Sequence, residues 1–407
     1  MRNKSKLSRT NELYYVYITM FVYFISINLM SSVSTVYLLS KGLTYFQLNL
    51  LESLQLIMVF LLEIPTGIIS DKFGHKVSFQ VSMVFRTFFY VFLTITNSFI
   101  VLCIAFFILA ISDACSSGSF ITWYITKLQK ENTNEENIKL FSNSIVLNSI
   151  AGIVAGFIGA IIATTYGIAI GYRFAAVLVV TSVIMLIRIP DTVKYKTDGE
   201  KEIVENKFEL QVKEIIRNAK DFLLSNTSAQ WQLILPLSIG YIAVSGIDNF
   251  WQPLFLSKQR DHLIWILGYA WVFIRLGTLI AGIIARLIRN HTKTRKYFPV
   301  TLLGCSVFVM FAALLNKWWL SAIAFALHAT VWVLFSALTE GYLYKSIPET
   351  SKATTLSTIS AINSIFGIIG MLSLALFADF SIKLAFFIAS GIFILAFLFT
   401  IYLRRKK

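Results

Sequence analysis

The sequence is poor in charge. Charged side chains make up 14% of the 407 residues, whereas apolar ones make up 57%. Soluble globular proteins contain about 25% charged and about 45–50% apolar residues. A soluble chain of this composition could not cover its surface, so that class is excluded. The apolar residues fall in blocks of ~20 residues, which is the length of helix that crosses a bilayer core. These blocks predict an integral membrane protein.

Cysteine and histidine are also scarce, with 3 and 4 copies. Cys103, Cys115 and Cys305 lie inside apolar blocks without a CxxC pattern, so we expect neither disulfides nor a zinc site. The sequence contains no nucleophile elbow and no glycine-rich phosphate loop. We therefore expect no cofactor, no metal ion and no enzyme activity. The rival class, a membrane enzyme such as an acyltransferase, needs polar groups converging at a membrane face, and the short outer loops are poor in them.

The apolar blocks predict about twelve transmembrane helices, because backbone polar groups must be satisfied within the bilayer. The predicted spans are Tyr14–Leu39, Phe46–Ile69, Val77–Ile95, Phe99–Leu128, Leu140–Tyr166, Ile170–Ile189, Ala229–Leu256, Leu263–Ile288, Tyr297–Leu315, Trp318–Ser346, Lys352–Phe377 and Ile382–Leu403.

The basic residues are distributed unevenly between the predicted loops. With the N-terminus inside, 28 of the 36 Lys and Arg residues fall in cytoplasmic segments and 6 in external loops. This positive-inside bias places both termini in the cytoplasm. The formal net charge of +15 is therefore explained by the orientation of the chain in the membrane, and we expect no nucleic-acid partner.

The spans divide into a six-helix bundle over 1–190 and a second over 229–407, joined by a cytoplasmic linker over 191–228. Apolar residues from Phe208 to Leu223 recur at helical spacing in that linker. This spacing is typical of an amphipathic helix on the inner membrane face. A solvated connector between two bundles is the open alternative.

The two halves resemble each other in sequence. Leu147–Ile153 in the fifth span matches Ile362–Ile368 in the eleventh, pairing Asn148 with Asn363 at an offset of 215 positions. Gly67 and Gly282 have the same offset. A shared offset predicts two pseudo-symmetric halves related by a parallel repeat, with a substrate site between them near mid-membrane.

One motif follows the second span, over residues 63–76. It runs Glu-Ile-Pro-Thr-Gly-Ile-Ile-Ser-Asp-Lys-Phe-Gly-His-Lys. It resembles the helix 2–3 signature of the major facilitator superfamily, and Glu-x-Pro-Thr-Gly is similar to its bacterial drug–proton antiporter branch. The resemblance implies the major facilitator fold and a cytoplasmic latch between the halves. The gating residues would be Gly67, Asp71, Lys72, Gly74 and Lys76. From the residues alone, Gly67 allows close helix approach and Gly74 a tight turn.

The sequence departs from that branch at several positions. The fourth span lacks the family's usual arginine, for which Arg86 in the third span is a substitute. Phe157 stands where the antiporter motif expects proline, and Arg286 stands opposite Asp71 in the second half. These departures weaken the antiporter assignment more than the superfamily assignment.

Several ionisable residues lie within predicted spans, where they are costly and usually mark a pathway or a pair. Asp113 and Asp248 are the best candidates for a proton-coupling or cation-recognising carboxylate. The alternative is that each forms a static pair, with Arg86 and Arg275 respectively. Glu63, near a span end, is the remaining candidate, as a gate residue or helix-end partner.

Tryptophans within the spans are candidates for an apolar cavity that binds a lipophilic or cationic ligand. They are Trp123, Trp251, Trp271 and Trp332. Helix packing is the alternative for each of them.

These features together predict a monomeric, multi-pass transporter in a bacterial plasma membrane, working by alternating access. We expect export of a hydrophobic or amphipathic small molecule driven by protons, the direction resting on the family resemblance. Two alternatives are a dedicated exporter of one peptide or metabolite, and an importer or uniporter of a small solute.

Overall fold

The computed structural model describes residues 2–117, 119–131, 137–189, 228–259, 263–288, 297–346 and 352–405. All regular elements in these ranges are helices. They are α1 (Arg2–Asn28), α2 (Ser34–Ser40), α3 (Tyr45–Phe73), α4 (His75–Ile95), α5 (Phe99–Ser116), α6 (Ser119–Glu131), α7 (Asn137–Tyr166), α8 (Ile168–Arg188), α9 (Ser228–Ile247), α10 (Trp251–Leu256), α11 (Trp265–Leu287), α12 (Phe298–Leu314), α13 (Trp318–Ser346), α14 (Lys352–Phe380) and α15 (Ile382–Arg405).

Nine helices in the described ranges are long and apolar enough to cross a membrane. Three shorter apolar helices, Tyr14–Asn28, Trp231–Ile247 and Phe298–Leu314, coincide with predicted spans one, seven and nine. Large apolar side chains such as Ile100, Val177 and Leu395 are 72%, 58% and 61% exposed. Exposed apolar faces of this extent are stable against lipid. The chain is therefore an all-helical, multi-pass membrane protein.

Three predicted spans are each divided into two helices in the structure. Span one divides into α1 and α2, span four into α5 and α6, and span seven into α9 and α10. Short turns separate the pieces, as at Ser117 after α5. Polar residues lie at each interruption, namely Ser31 and Ser32, Ser117, and Asp248 and Asn249. A window of about 20 residues averages over so few polar positions, so hydropathy alone does not reveal the turn.

The described residues group into two compact units by their internal contacts. Unit 1 comprises Met1–Tyr37 with Leu54–Phe208, and unit 2 comprises Leu38–Ser53 with Glu209–Lys407. The first two turns of α3 therefore belong to unit 2 and the remainder to unit 1. The predicted amphipathic helix of the linker lies outside the described residues, and the predicted boundaries at 190 and 229 stay a prediction.

Four helix pairs pack alike in the two units. In unit 1, α1 packs on α7 and α8, and α4 packs on α5 and α8. In unit 2, α9 packs on α14 and α15, and α12 packs on α13 and α15. These pairs connect spans of equal rank within the two predicted halves, as a parallel repeat requires.

The repeated asparagines make equivalent contacts in the two units. Asn28 Nδ2 donates to Asn148 Oδ1 at 3.0 Å, which joins α1 to α7. Ser238 Oγ donates to Asn363 Oδ1 at 2.8 Å, which joins α9 to α14. Hydrogen bonds between helices and close backbone approach hold membrane helices together where the hydrophobic effect cannot.

Candidate functional site

Unit 1 contains an ion pair between two of its helices. Arg86 on α4 forms a salt bridge from Nη2 to Oδ1 of Asp113 on α5, and their side chains are 14% and 27% exposed. Gln55 on α3 donates from Nε2 to the second carboxylate oxygen, Oδ2, at 2.6 Å. Both oxygens of Asp113 are therefore bonded. The structure brings Asp113 and Arg86 together and adds Gln55, which the sequence analysis did not identify.

Asp113 lies in the last turn of α5, where the fourth predicted span is interrupted. A helix ending inside a protein leaves carbonyl groups without intrahelical partners. The Asp113 carbonyl accepts the Ser117 N–H at 2.8 Å. Thr66 Oγ1 on α3 donates to the Ala114 carbonyl at 3.1 Å, and Ser78 Oγ on α4 donates to the Cys115 carbonyl at 2.9 Å. Hydroxyls from two neighbouring helices thus support the interruption.

Tyrosines surround the Arg86 guanidinium. Tyr23 on α1 lies near Arg86, and its ring packs edge-on against Phe79 at 4.9 Å between centroids. Tyr90, one turn along α4 from Arg86, donates its hydroxyl to the Ser26 carbonyl at 3.2 Å. The pair therefore lies in a polar centre formed by α1, α3, α4 and α5.

Glu63 lies beside the same interruption. Its Oε1 accepts the Ser117 hydroxyl at 2.8 Å, and this contact is exposed. Thr66, one turn further along α3, bonds both the Glu63 carbonyl and Ala114. The contact matches the predicted helix-end role of Glu63 better than a substrate-binding role.

The residues of the helix 2–3 motif occupy different environments. Gly74 has a φ of 98°, in the region that favours glycine, and forms the turn between α3 and α4. A Cβ added at Gly67 would have no heavy atom within 4 Å, so the expected close helix approach is not found there. Lys72 is exposed and lies over the Phe73 ring at 5.2 Å. The side chain of Asp71 lies outside the described residues.

Lys76 is the buried member of that motif. Its side chain is 7% exposed, and Nζ donates to the Ile189 carbonyl at 2.5 Å. Ile189 follows the last residue of α8. A cation at a helix C-terminus neutralises the partial negative charge of the free carbonyls. Lys76 therefore fastens the start of α4 to the end of α8 within unit 1.

Unit 2 places its charged groups differently. Asp248 lies in the turn between α9 and α10 and is exposed. Arg275 on α11 is close enough for the two charges to interact, yet no salt bridge joins them among the described residues. The Arg275 guanidinium instead lies 4.2 Å from the centroid of the Trp271 ring. Trp271 in turn stacks on Trp251 at 6.3 Å.

A second acidic residue of unit 2, Glu52 on α3, was missed by the sequence analysis. Asn249 Nδ2 donates to Glu52 Oε2 and also to Asn49 Oδ1 at 2.9 Å. Asn49 Nδ2 donates to the Met371 carbonyl on α14 at 2.8 Å. The available signal was the spacing of Asn49, Glu52 and Gln55, which recur every third residue on one helix face inside an apolar span.

The four candidate cavity tryptophans lie in two kinds of environment. Trp123, Trp251 and Trp332 are 1%, 3% and 7% exposed, which favours helix packing over cavity lining. Trp332 packs edge-on against Tyr241 at 5.2 Å. Trp271 is half-buried under Arg275 and remains the candidate for ligand contact.

No three His, Cys, Asp or Glu side chains within the described part of the chain are arranged to hold a metal ion. The polar groups of the two units can instead form hydrogen bonds, bind charge and take up protons.

Comparison with known proteins identifies the family. The model of the Major Facilitator Superfamily matches residues 16–370. The uncharacterised MFS-type transporter YxaM of Bacillus subtilis is 24% identical over 238 residues, covering 57% of this chain and 56% of that protein. The uncharacterised MFS-type transporter MJ1560 of Methanocaldococcus jannaschii is 26% identical over 199 residues, covering 47% and 50%. The matches thus span about half the length of these curated relatives.

Solved structures agree in fold. The nucleoside transporter NupG superposes with a TM-score of 0.79 at 12% identity, covering 98% of this chain and 100% of NupG. A POT family transporter in complex with a thioalcohol-conjugated peptide gives 0.73 at 13% identity, covering 97% and 96%. Both curated relatives are named as transporters, a class that is not enzymatic. The family model covers most of the sequence, and the chain belongs to the Major Facilitator Superfamily.

Proposed function

We propose that this protein is a secondary transporter that exports a hydrophobic or amphipathic small molecule in exchange for protons, by alternating access. The observation that carries the proposal is the interrupted helix at Ser117, which ends beside the Arg86–Asp113 pair. In transporters, interrupted membrane helices and mid-membrane charges occur where substrates and ions bind.

The topology belongs to the same proposal. About twelve helices in two pseudo-symmetric six-helix bundles, over 1–190 and 229–407, with both termini in the cytoplasm, account for the positive-inside bias. The site of action is a bacterial plasma membrane and the working form a monomer. Gly67, Asp71, Lys72, Gly74 and Lys76 are proposed to form the cytoplasmic gate. The Lys76–Ile189 contact supports this role, because it fixes the motif to α8.

We assign substrate contact in unit 1 to the Arg86–Asp113 pair. A fully bonded carboxylate is held in one orientation, which suits recognition of a polar group on an otherwise apolar molecule. In unit 2, Trp271 and Arg275 are the residues suited to an aromatic or lipophilic ligand, since the Trp271 side chain is half-buried and already holds a cation over its ring.

The test uses everted membrane vesicles from cells that express the wild type, Asp113→Asn or Ser149→Ala. The Ser149 hydroxyl donates to the Ile145 carbonyl of its own helix in an exposed contact, so its variant controls for expression and insertion. A panel of lipophilic cations, macrolides and apolar peptides is offered with and without a protonophore.

We expect accumulation by the wild type and by Ser149→Ala, abolished by the protonophore and reduced at least tenfold in Asp113→Asn. If abundant, folded wild-type protein accumulates no compound, multidrug export is wrong. A dedicated exporter of one peptide or metabolite, or an importer or uniporter, then takes its place.

A further inference from the structure

Glu52 is a membrane carboxylate with an unusual set of partners. It lies in the span Tyr45–Glu63, and the structure records one hydrogen bond to it, from Asn249 Nδ2. Among the described residues the only salt bridge is that of Arg86 and Asp113. Glu52 is therefore bonded to a neutral amide and to no cation in the described part of the chain.

The charges near Glu52 make an ionised state costly. Asp248 directly precedes Asn249, the residue bonded to Glu52, and so brings a like charge near Glu52. The Arg275 guanidinium lies over the Trp271 ring. A carboxylate in a membrane span needs a cation or a proton to balance its charge. Arg86 supplies that balance for Asp113. Glu52 has no such cation among the described residues, which leaves a proton to balance its charge.

The hydrogen-bond partner of Glu52 suits both forms of the carboxyl group. An amide donates from Nδ2 to an ionised carboxylate, as Asn249 does here. After rotation of the amide, its Oδ1 can accept the O–H of a protonated carboxyl. A group that loads and releases protons requires this kind of partner, because neither form is left unbonded in a low-dielectric site.

We propose that Glu52 is the carboxylate that binds the coupling proton, and that Asn249 is its positioning partner. The proposal rests on proton-coupled transport, as proposed above. It moves the coupling role from Asp113 and Asp248 to a residue that the sequence analysis did not single out.

Protonation of Glu52 has a mechanical consequence within unit 2. Several contacts hold the start of α3 in this unit, among them the Asn249–Glu52 and Asn249–Asn49 bonds, the Asn49–Met371 bond and the Asp379 carboxylate. Asp379 accepts the N–H groups of Tyr45 and Phe46 at 2.7 and 3.2 Å. A bond to an ionised carboxylate is roughly twice as strong as a neutral one. Proton uptake at Glu52 therefore weakens one of these contacts and loosens α3.

The test measures proton binding directly and needs no substrate. Purified protein in maltoside detergent is titrated with acid, and the C=O stretch of protonated carboxyl groups is followed by infrared difference spectroscopy. The variants are Glu52→Gln, Glu52→Asp and Asn249→Leu, with Asp113→Asn as the matched control. Gel filtration reports whether each variant is folded.

We expect one carboxyl band of the wild type to be lost in Glu52→Gln and shifted in frequency in Glu52→Asp. The pH midpoint of the band should change in Asn249→Leu, and the band should be retained in Asp113→Asn. A full band in folded Glu52→Gln, or a band lost in Asp113→Asn instead, would overturn the assignment. If Glu52→Gln does not fold, the frequency shift in Glu52→Asp decides. If the band is present but vesicles transport no compound, the proposed function is refuted. The assignment of Glu52 as a proton-binding residue is then unaffected.

Discussion

The two units share a helix packing pattern but differ in how they hold charge. In unit 1, Asp113 is bonded through both oxygens, to Arg86 and Gln55. In unit 2, Glu52 is bonded to the Asn249 amide. The packing contacts repeat between the units, as the Asn148 and Asn363 bonds show. The repeat therefore preserves the scaffold, while the charged groups of the two units have diverged.

The same divergence is visible where the fourth and tenth spans are compared. The fourth is interrupted after Asp113, whereas α13 continues through His328, the position 215 residues later. His328 is 2% exposed and packs against Phe393 at 5.2 Å and Phe325 at 5.6 Å. An ion pair with an interrupted helix in one unit thus corresponds to an apolar, continuous helix in the other.

The largest expected effect comes from removing the cation of the unit 1 pair. Arg86→Leu leaves Asp113 without its charge partner, and breaking a buried pair in this way costs about 3–5 kcal/mol. Unfolding in mixed detergent micelles measures the change. Arg275→Leu is the matched variant in unit 2 and should cost about 1 kcal/mol, since it loses a cation–π contact.

Removing both charges sharpens this comparison. Arg86→Leu combined with Asp113→Leu should recover most of the lost stability, because no uncompensated charge remains. An Arg275→Leu variant as unstable as Arg86→Leu would show that the two units hold charge alike.

A smaller effect is expected at the glycines where helices approach most closely. A methyl group on Gly159 would collide with the Leu29 carbonyl, and one on Gly370 with the Ile242 carbonyl. Backbone atoms cannot move aside as side chains do, so we expect each Gly→Ala change to cost about 1–3 kcal/mol. The free energy of unfolding should fall equally in the two units.

Gly67→Ala and Gly282→Ala are the controls for that prediction. No heavy atom lies within 4 Å of the place that a Cβ would take at either residue, so alanine should be neutral or stabilise the helix by up to about 1 kcal/mol. Destabilisation at Gly67 equal to that at Gly159 would contradict the packing described here.

The repeated asparagines should give a still smaller effect. Asn148→Ala and Asn363→Ala each remove one bond between helices, and such bonds contribute about 0.6 kcal/mol on average in membrane proteins. Thermal unfolding of the two variants should show similar losses, and Ser149→Ala should show none. A loss of stability in only one of the two variants would show that these hydrogen bonds are not equivalent in the two units.

The smallest effect concerns Lys258, which lies outside the spans and donates from Nζ to the Ala313 carbonyl at 3.3 Å and to Ser321 Oγ at 2.9 Å. Burial, and then the charge of Lys383, lowers its pKa from 10.5 to about 8. Between these values the unfolded chain binds more protons, so stability rises with pH across this window. The gain should stay below about 0.5 kcal/mol, because solvent screens a half-exposed group.

Lys258→Met should remove that rise, and Lys317→Met, at an exposed lysine, should preserve it. Melting temperatures between about pH 7 and pH 10 provide the measurement. A rise that persists in Lys258→Met would assign it to another group.

Hydropathy and charge sufficed to predict an all-helical, multi-pass protein, and the helix 2–3 motif led to the right superfamily. The interruptions after Asn28, Ser116 and Ile247 were not predicted, because the few polar residues in each turn lie between long apolar stretches. Gln55 bonds Asp113 only because α3 and α5 turn these two side chains toward each other. The spacing of residues along a single helix does not predict how two helices are rotated against each other. Glu52 was within reach, as an acidic residue inside an apolar span, but its partner Asn249 is 197 positions away.

The most direct test compares two kinds of transport of a compound that the wild type exports. One is accumulation driven by a proton gradient, and the other is exchange of substrate across the membrane without a gradient. Both are measured in inside-out vesicles for Glu52→Gln and Asp113→Asn. Glu52→Gln should exchange substrate at near the wild-type rate and lose accumulation, because it lacks the proton site and keeps the substrate site. Asp113→Asn should lose both. Undiminished proton-driven accumulation by folded Glu52→Gln would contradict the account.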